Sequence, residues 1–322
     1  MPGLMRAANI ALLLSIGMTL AAVGNVAGQT YPTKPIRIVT GGPGGGADFA
    51  SRVMAAGLAG SLGQQVVVDN RGGVIPGEIV SQSAPDGYTL LCYPGSLWIG
   101  SLMQKTPYDP LRDFAPISML VTSPILLVVH PSVPVKTIKE LIALAKTRPG
   151  ALNYSAAGTG GASHLAGELF KAMAGVDIVL IPYKGAGAAI TDVVGGQVHM
   201  TFGNAASVAP HLKSGRLRAL AVTSAQPSAL APGVPTIAAS GVPGYEAVQN
   251  TGMFAPARTP EAIITRLHHE ILRILNNPGT REKLMTAGVE SVASTPAELV
   301  ATMKQEMHRL GKVIKDAGIR AE

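Results

Sequence analysis

Ile36-Arg37-Ile38-Val39-Thr40-Gly41-Gly42-Pro43-Gly44-Gly45-Gly46-Ala47-Asp48 passes from a β-branched run into a glycine loop. The apolar residues after it, Phe49, Val53, Met54, Leu58 and Leu62, recur at roughly the helical period. Strand, glycine turn and helix in that order form the building unit of an α/β fold. The order returns far downstream, where Leu152-Asn153-Tyr154 leads through Ser155-Ala156-Ala157-Gly158-Thr159-Gly160-Gly161-Ala162-Ser163-His164 into a helical pattern at Leu165, Leu169, Ala172 and Met173. A glycine loop at a helix start turns backbone N–H groups toward a ligand, and the helix dipole adds positive potential, so a carboxylate can be held without Lys or Arg. Two such loops suggest two lobes gripping one acidic ligand. The candidate residues are Gly44, Gly45, Gly46, Ala47 and Asp48 in the first loop, and Ala157, Gly158, Thr159, Gly160, Ser163 and His164 in the second.

Between and beyond the loops, short β-branched runs alternate with helical patterns, which predicts an α/β class with mainly parallel sheets flanked by helices. Expected strands are 36–40, 66–69, 89–93, 125–129, 152–155, 178–182, 200–202 and 217–223. Thr137-Ile138-Lys139-Glu140 has capping-box spacing, Thr259-Pro260 sets a cap residue before a proline, and Thr295-Pro296-Ala297-Glu298 opens a terminal helix expected to reach about Asp316. His130-Pro131-Ser132-Val133-Pro134 and the stretch from Gln249 to Gly252 read as crossings between lobes. They give lobe 1 as residues 29–129 plus 251–322 and lobe 2 as 130–250.

The N-terminus carries Arg6, an apolar stretch from Ile10 to Val23 and the small residues Val26-Ala27-Gly28, the pattern of a secretory signal peptide over residues 1–28. The apolar stretch falls short of the ~20 residues a spanning helix needs. Cleavage near Gly28 is expected, and the mature chain is then long enough for two domains of about 100–200 residues each. The formal charge of +7 comes from scattered single Lys and Arg residues, so no nucleic-acid partner is expected. Cys92 is the sole cysteine, which excludes an intramolecular disulfide, and Tyr88-Thr89-Leu90-Leu91-Cys92 reads as a buried strand. The histidines show no ligand spacing, so neither a metal nor another cofactor is expected.

Other glycine-loop chemistries fit less well. The first loop lacks the Lys-Ser/Thr of a Walker motif. Its glycines do satisfy the bare dinucleotide pattern, with Asp69 following Val66-Val67-Val68, which leaves a secreted NAD-type oxidoreductase as the alternative function. Pro43 within the turn and the secretion signal count against it. Asp48 would repel an anion, so it reads first as a helix cap or loop brace. His164 adjoins Ser163, but neighbouring helical residues diverge and make a poor nucleophile and base, so it reads as a binding or structural residue.

An ordered series of motifs then carries a resemblance over essentially the whole mature chain. Tyr31-Pro32-Thr33-Lys34-Pro35-Ile36-Arg37, Pro43-Gly44-Gly45-Gly46-Ala47-Asp48, Asn70-Arg71, Ala84-Pro85-Asp86-Gly87-Tyr88-Thr89-Leu90, Asp113-Phe114-Ala115-Pro116, Ser163-His164-Leu165-Ala166-Gly167-Glu168, Pro182-Tyr183-Lys184-Gly185 and Leu217-Arg218-Ala219-Leu220-Ala221-Val222 stand in that order. In this the chain resembles the Bug family, the TctC-like substrate-binding proteins of tripartite tricarboxylate transporters. The resemblance implies a two-lobed periplasmic binding-protein fold of the Venus-flytrap kind, located in a Gram-negative periplasm, with the ligand carboxylate held by one loop from each lobe. It also implies cleft-facing positions at Ser96 and Asn204. On this reading the protein is a monomeric receptor and not an enzyme. It captures a small organic acid (a di- or tricarboxylate, an aromatic acid or an amino acid) and hands it to membrane transporter subunits or a sensor protein. Three departures bear on the ligand. Val74 and Ile75 are bulkier than the small residues usual after Asn70-Arg71 and are expected to narrow the pocket. Gly203 stands where an Asp is common, and Asn250-Thr251-Gly252 lacks an aromatic residue.

Overall fold

Both glycine loops join a parallel strand to a helix in the computed structural model, which describes residues 31–44, 46–157 and 159–320. The expected signal peptide, Gly45 and Gly158 lie outside the described residues. The elements run β1 (Ile36–Thr40), α1 (Gly46–Leu62), β2 (Val66–Asn70), α2 (Ile75–Ser81), β3 (Thr89–Pro94), α3 (Ser96–Ile99), a 3-10 turn (Gly100–Leu102) and β4 (Phe114–Val129). There follow α4 (Ile138–Thr147), β5 (Asn153–Ala157), α5 (Ala162–Ala174), β6 (Val179–Tyr183), α6 (Ala186–Val194), β7 (Met200–Asn204), α7 (Ala205–Lys213) and β8 (Arg218–Val222). The chain returns through β9 (Val248–Pro256), α8 (Glu261–Asn276), α9 (Pro278–Thr286), β10 (Glu290–Ser291) and α10 (Pro296–Asp316). All of these elements belong to one unit that begins at Pro35.

The class is α/β, but the sheet is mixed where mainly parallel pairing was expected. Parallel pairs occupy its two ends, β2-β1-β3 at one and β7-β5-β6 at the other. Antiparallel pairs fill the middle, because β4 and β9 traverse it in opposite directions. The first part of β4 pairs with β9 as far as Pro124, opposite Val248, and the rest, from Ile125, pairs with β7 and β8. Pro124 has no N–H to give to a ladder, so a central strand tolerates it best where partners change. Thr223 closes the junction: its Oγ1 accepts from Ile125 N at 3.1 Å and donates to Ile125 O at 2.8 Å. The sheet change therefore falls inside β4, ahead of the proline-bearing stretch 130–134.

Two segments outside the expected strands are strand for the same reason. Residues 114–124 and 248–256 are strand, although neither shows the alternation that marks a half-buried strand. Both are central and covered on two faces, so nearly every position is buried and the period-2 signal vanishes. Thr259 is not a helix cap either: Pro260 takes that position, and Thr259 Oγ1 donates to Pro256 O. The remaining starts follow the local rules. Thr137 Oγ1 accepts from Glu140 N, and Thr295 forms a complete capping box with Glu298 before a helix that ends at Asp316.

A large apolar cluster runs from Val39 and Leu91 through Trp98, Phe114 and Phe254 to Tyr154, Phe170 and Tyr245, so one core underlies both ends of the sheet. A second cluster, on Leu126, Val128, Val193 and Val208, packs the other face of β4. Cys92 is fully buried in β3, as its setting suggested, and burial pushes its thiol up to about 12.

Candidate functional site

The two glycine loops share one internal brace. Gly160 (φ +75°) donates its N–H to Nδ1 of His164, 2.8 Å away in the first turn of α5. Gly44 (φ +84°) donates its N–H to Oδ2 of Asp48, 2.9 Å away in the first turn of α1. Each loop thus makes a left-handed turn that glycine allows at little cost, pinned by the side chain four residues on. Asp48 Oδ1 also accepts from Asn70 Nδ2 at 2.9 Å and pairs with Arg52 at 3.0 Å. Burial alone would raise its pKa, but these bonds from Gly44, Asn70 and Arg52 hold it below the usual carboxylate value. Asp48 is therefore a brace within the helix rather than its cap. His164 is 5% exposed, and burial lowers its pKa, so at neutral pH it is uncharged with Nδ1 accepting.

Two cavities open on either side of the start of α5 and share Ile125, Gly161, Ala162 and Gln249. The first, about 240 Å³, adds Ser96, Gly160, Ile99, Met103 and, from α10, Glu306 and Arg309. The second, about 330 Å³, adds Ala157, Ser163, Asn204, Ser207 and Thr201. Between them lies the start of the 13-residue α5, whose N-cap Gly161 offers no side-chain cap, and Gly161 and Ala162 line both cavities. Ser163 Oγ accepts from Ala157 N at 3.0 Å, which leaves its hydroxyl proton to be donated. Asn204 caps α7 through Oδ1 and donates Nδ2 to Ser123 Oγ at 2.7 Å, so its amide is oriented before any ligand arrives.

Of the residues singled out in the sequence, Ser96 and Gly160 line the first cavity and Ala157, Ser163 and Asn204 the second. Thr159 is half-buried in the turn and His164 lies behind it, and neither is part of either lining. Gly44, Gly46, Ala47 and Asp48 also line neither cavity. The first loop stands behind the end of β3, where a Cβ on Gly41 would meet the Tyr93 ring at 3.7 Å. Val74 and Ile75 do not narrow these cavities: Val74 packs on the core and Ile75 is exposed. The small residue at Gly203 has a packing cause, since a Cβ there would run into Val208.

Glu306 and Arg309 escaped the sequence reading although a signal was present. Leu299, Met303, Glu306, Leu310 and Val313 follow the spacing of one buried helix stripe, and a glutamate on such a stripe requires partners. Those partners are Trp98, whose Nε1 donates to Oε2 at 2.7 Å, and Asn250, whose Nδ2 donates to Oε1 at 2.8 Å. Burial raises the Glu306 pKa against the lowering effect of these donors and of Arg309.

Residues 50–319 match the family model described as the tripartite tricarboxylate transporter family receptor. The chain belongs to that family. It is 39% identical over 319 residues to protein BugT of Bordetella pertussis, covering 96% of this chain and 98% of that one. Among solved structures, Rpa4515 of R. palustris with adipate is 35% identical with a TM-score of 0.76, covering 91% of this chain and all of that one. The periplasmic binding protein BugD is 31% identical with a TM-score of 0.73, at the same coverage. MatC from Rhodopseudomonas palustris with bound malate is 28% identical with a TM-score of 0.71, covering 88% of this chain and 100% of that one. The chain is thus a solute-binding receptor of the tripartite tricarboxylate type. Among the described residues no helix is long and apolar enough to cross a membrane.

Proposed function

We propose that this receptor captures the carboxylate of a small organic acid at the uncapped start of α5, between two lobes that close on it, and that it catalyses no reaction. The observation that carries the reading is the free helix N-terminus opening into both cavities. Its amides, the Ser163 hydroxyl and the pre-oriented Asn204 amide supply donors, and the helix dipole supplies the positive potential. Lobe 1 is taken as the half-sheet of β1, β2, β3 and β9 with α10, and lobe 2 as the half-sheet of β5, β6 and β7, with the crossings at Pro124 and Val248. Closure would bring the Gly44–Asp48 loop toward the ligand from the far side, completing a two-loop grip. The related structures with adipate and with malate support a small organic acid as the ligand class. Export to the periplasm after cleavage near Gly28, action as a monomer, and delivery to transporter subunits or a sensor follow from the same reading.

The dinucleotide alternative is weaker because its acidic residue is engaged. Asp69 accepts from Arg37 and pairs with Arg71 at 3.1 Å, and the Arg37 bond holds its pKa below the usual value. A thermal-denaturation screen separates the two. A ligand present at 100 times its Kd stabilises the folded state by about 2.7 kcal/mol. Stabilisation by carboxylates and not by nicotinamide dinucleotides is the expected result. The reverse pattern would overturn the assignment.

A further inference from the structure

Among the described residues that line the cavity beside Ser96, Glu306 and Arg309 are the only ones with charged side chains. We propose that this pair reads the far end of the bound acid and selects a monocarboxylate with an apolar body and a neutral tail that both donates and accepts a hydrogen bond, such as a carboxamide. The inference rests on the carboxylate being held at the start of α5, as proposed above.

The cavity begins at that helix start, through the shared Gly161 and Ala162, and leads to α10. Its walls there are Ile99, Met103, Leu165 and Leu310, which favour a hydrocarbon body over a hydroxylated one. At α10 each oxygen of Glu306 takes one N–H, from Trp98 and from Asn250, and a carboxylate has about four acceptor positions, so capacity remains. Arg309 gives one terminal nitrogen to Glu246 Oε2 at 2.7 Å, while its Nε is buried without a partner. Unspent acceptor positions on Glu306 and unspent guanidinium N–H groups on Arg309 therefore stand on neighbouring turns of one helix face.

A methyl end would leave both groups unpaired. A second carboxylate would satisfy Arg309 but set its charge beside Glu306. A carboxamide meets both demands: its oxygen accepts from the Arg309 guanidinium and its NH2 donates to Glu306. Sites built this way discriminate strongly, since the wrong ligand strands buried polar groups.

The test is isothermal titration of the full chain with two series of constant body, pentanoate, glutarate and glutaramate, and para-toluate, terephthalate and terephthalamate. Trp98, the sole tryptophan, bonds Glu306 and reports occupancy by its emission. The amide is expected to bind about tenfold or more tighter than its methyl and carboxylate counterparts in at least one series. Arg309→Met keeps the stem but removes every guanidinium N–H, and should bring the amide-to-methyl ratio close to one. Glu306→Gln removes the charge and should raise the dicarboxylate relative to the amide. Acids that bind with no dependence on the far end, or ratios unchanged in both variants, would overturn this inference and leave the receptor assignment standing. If no acid of either series binds, both fall.

Discussion

Gly160 gives its backbone N–H to a neutral imidazole, Nδ1 of His164, and this bond at 2.8 Å sets the turn that opens the first cavity. Gly44 and Asp48 repeat the arrangement at the other loop. Both acceptors have lowered pKa values, so both turns lose their bond on acidification, the histidine's in a higher pH range than the carboxylate's.

His164 has its pKa depressed by burial, with Glu168 opposing and Lys171 assisting. Its stabilising bond is therefore fully present above the ordinary histidine value of about 6.5 and is lost as pH falls from there through the depressed value. His199 and His268 are depressed by burial too, so the whole protein should lose stability in the same direction. His164→Asn keeps an acceptor at the position where Asp48 works in the other loop. The pH dependence of Tm between 7.5 and 5.5, values chosen to bracket roughly that ordinary pKa, should be shallower in His164→Asn than in the wild type. Equal slopes would show that His164 does not titrate with unfolding.

The two positive-φ glycines should respond unequally to alanine. At Gly44 a Cβ meets nothing within 4 Å, so Gly44→Ala carries only the left-handed backbone cost, about 1–2 kcal/mol. At Gly160 a Cβ would stand 3.0 Å from Met103 Sδ, adding displacement of a cavity-lining side chain to the same backbone cost. Titration calorimetry should show a larger loss of ligand affinity for Gly160→Ala. Urea melts separate that effect from global destabilisation.

Glu306 ties together helix α10, strand β9 and helix α3. Glu306→Leu strands the Trp98 indole N–H and the Asn250 amide in a buried site, and the expected loss is about 2–5 kcal/mol. The urea midpoint followed by Trp98 fluorescence should fall accordingly. A change below about 0.5 kcal/mol, the scale of ordinary surface substitutions, would mean that water replaces the carboxylate.

Gly203 lies against Val208, so enlarging it is a packing error before it is a ligand effect. Gly203→Ala should cost about 1–3 kcal/mol of stability. Val208→Ala in the same chain should recover part of that cost by making room. Failure of the double variant to recover any stability would argue for a backbone cause.

The glycine loops, the eight short strands expected from the sequence and the Thr295 capping box were legible because each is a local device. A glycine at a turn, a threonine three residues before a glutamate, or a β-branched run states its conformation within a few residues. The antiparallel centre was not legible. Residues 114–124 and 248–256 are buried on both faces of a sheet, and a strand in that environment has no polar side to alternate with.

By itself, then, the sequence determined an α/β chain with two glycine-loop helix starts of matching design and the family to which it belongs. The tertiary structure alone decided which of those starts faces open cavities, because that depends on where β4 changes partners and not on either loop. It also brought Glu306 and Arg309, far along the chain, to the same cavity as Ser96 and Gly160. Proximity of that kind is a product of packing helix α10 against strand β4 and helix α5, and no local pattern of residues encodes it.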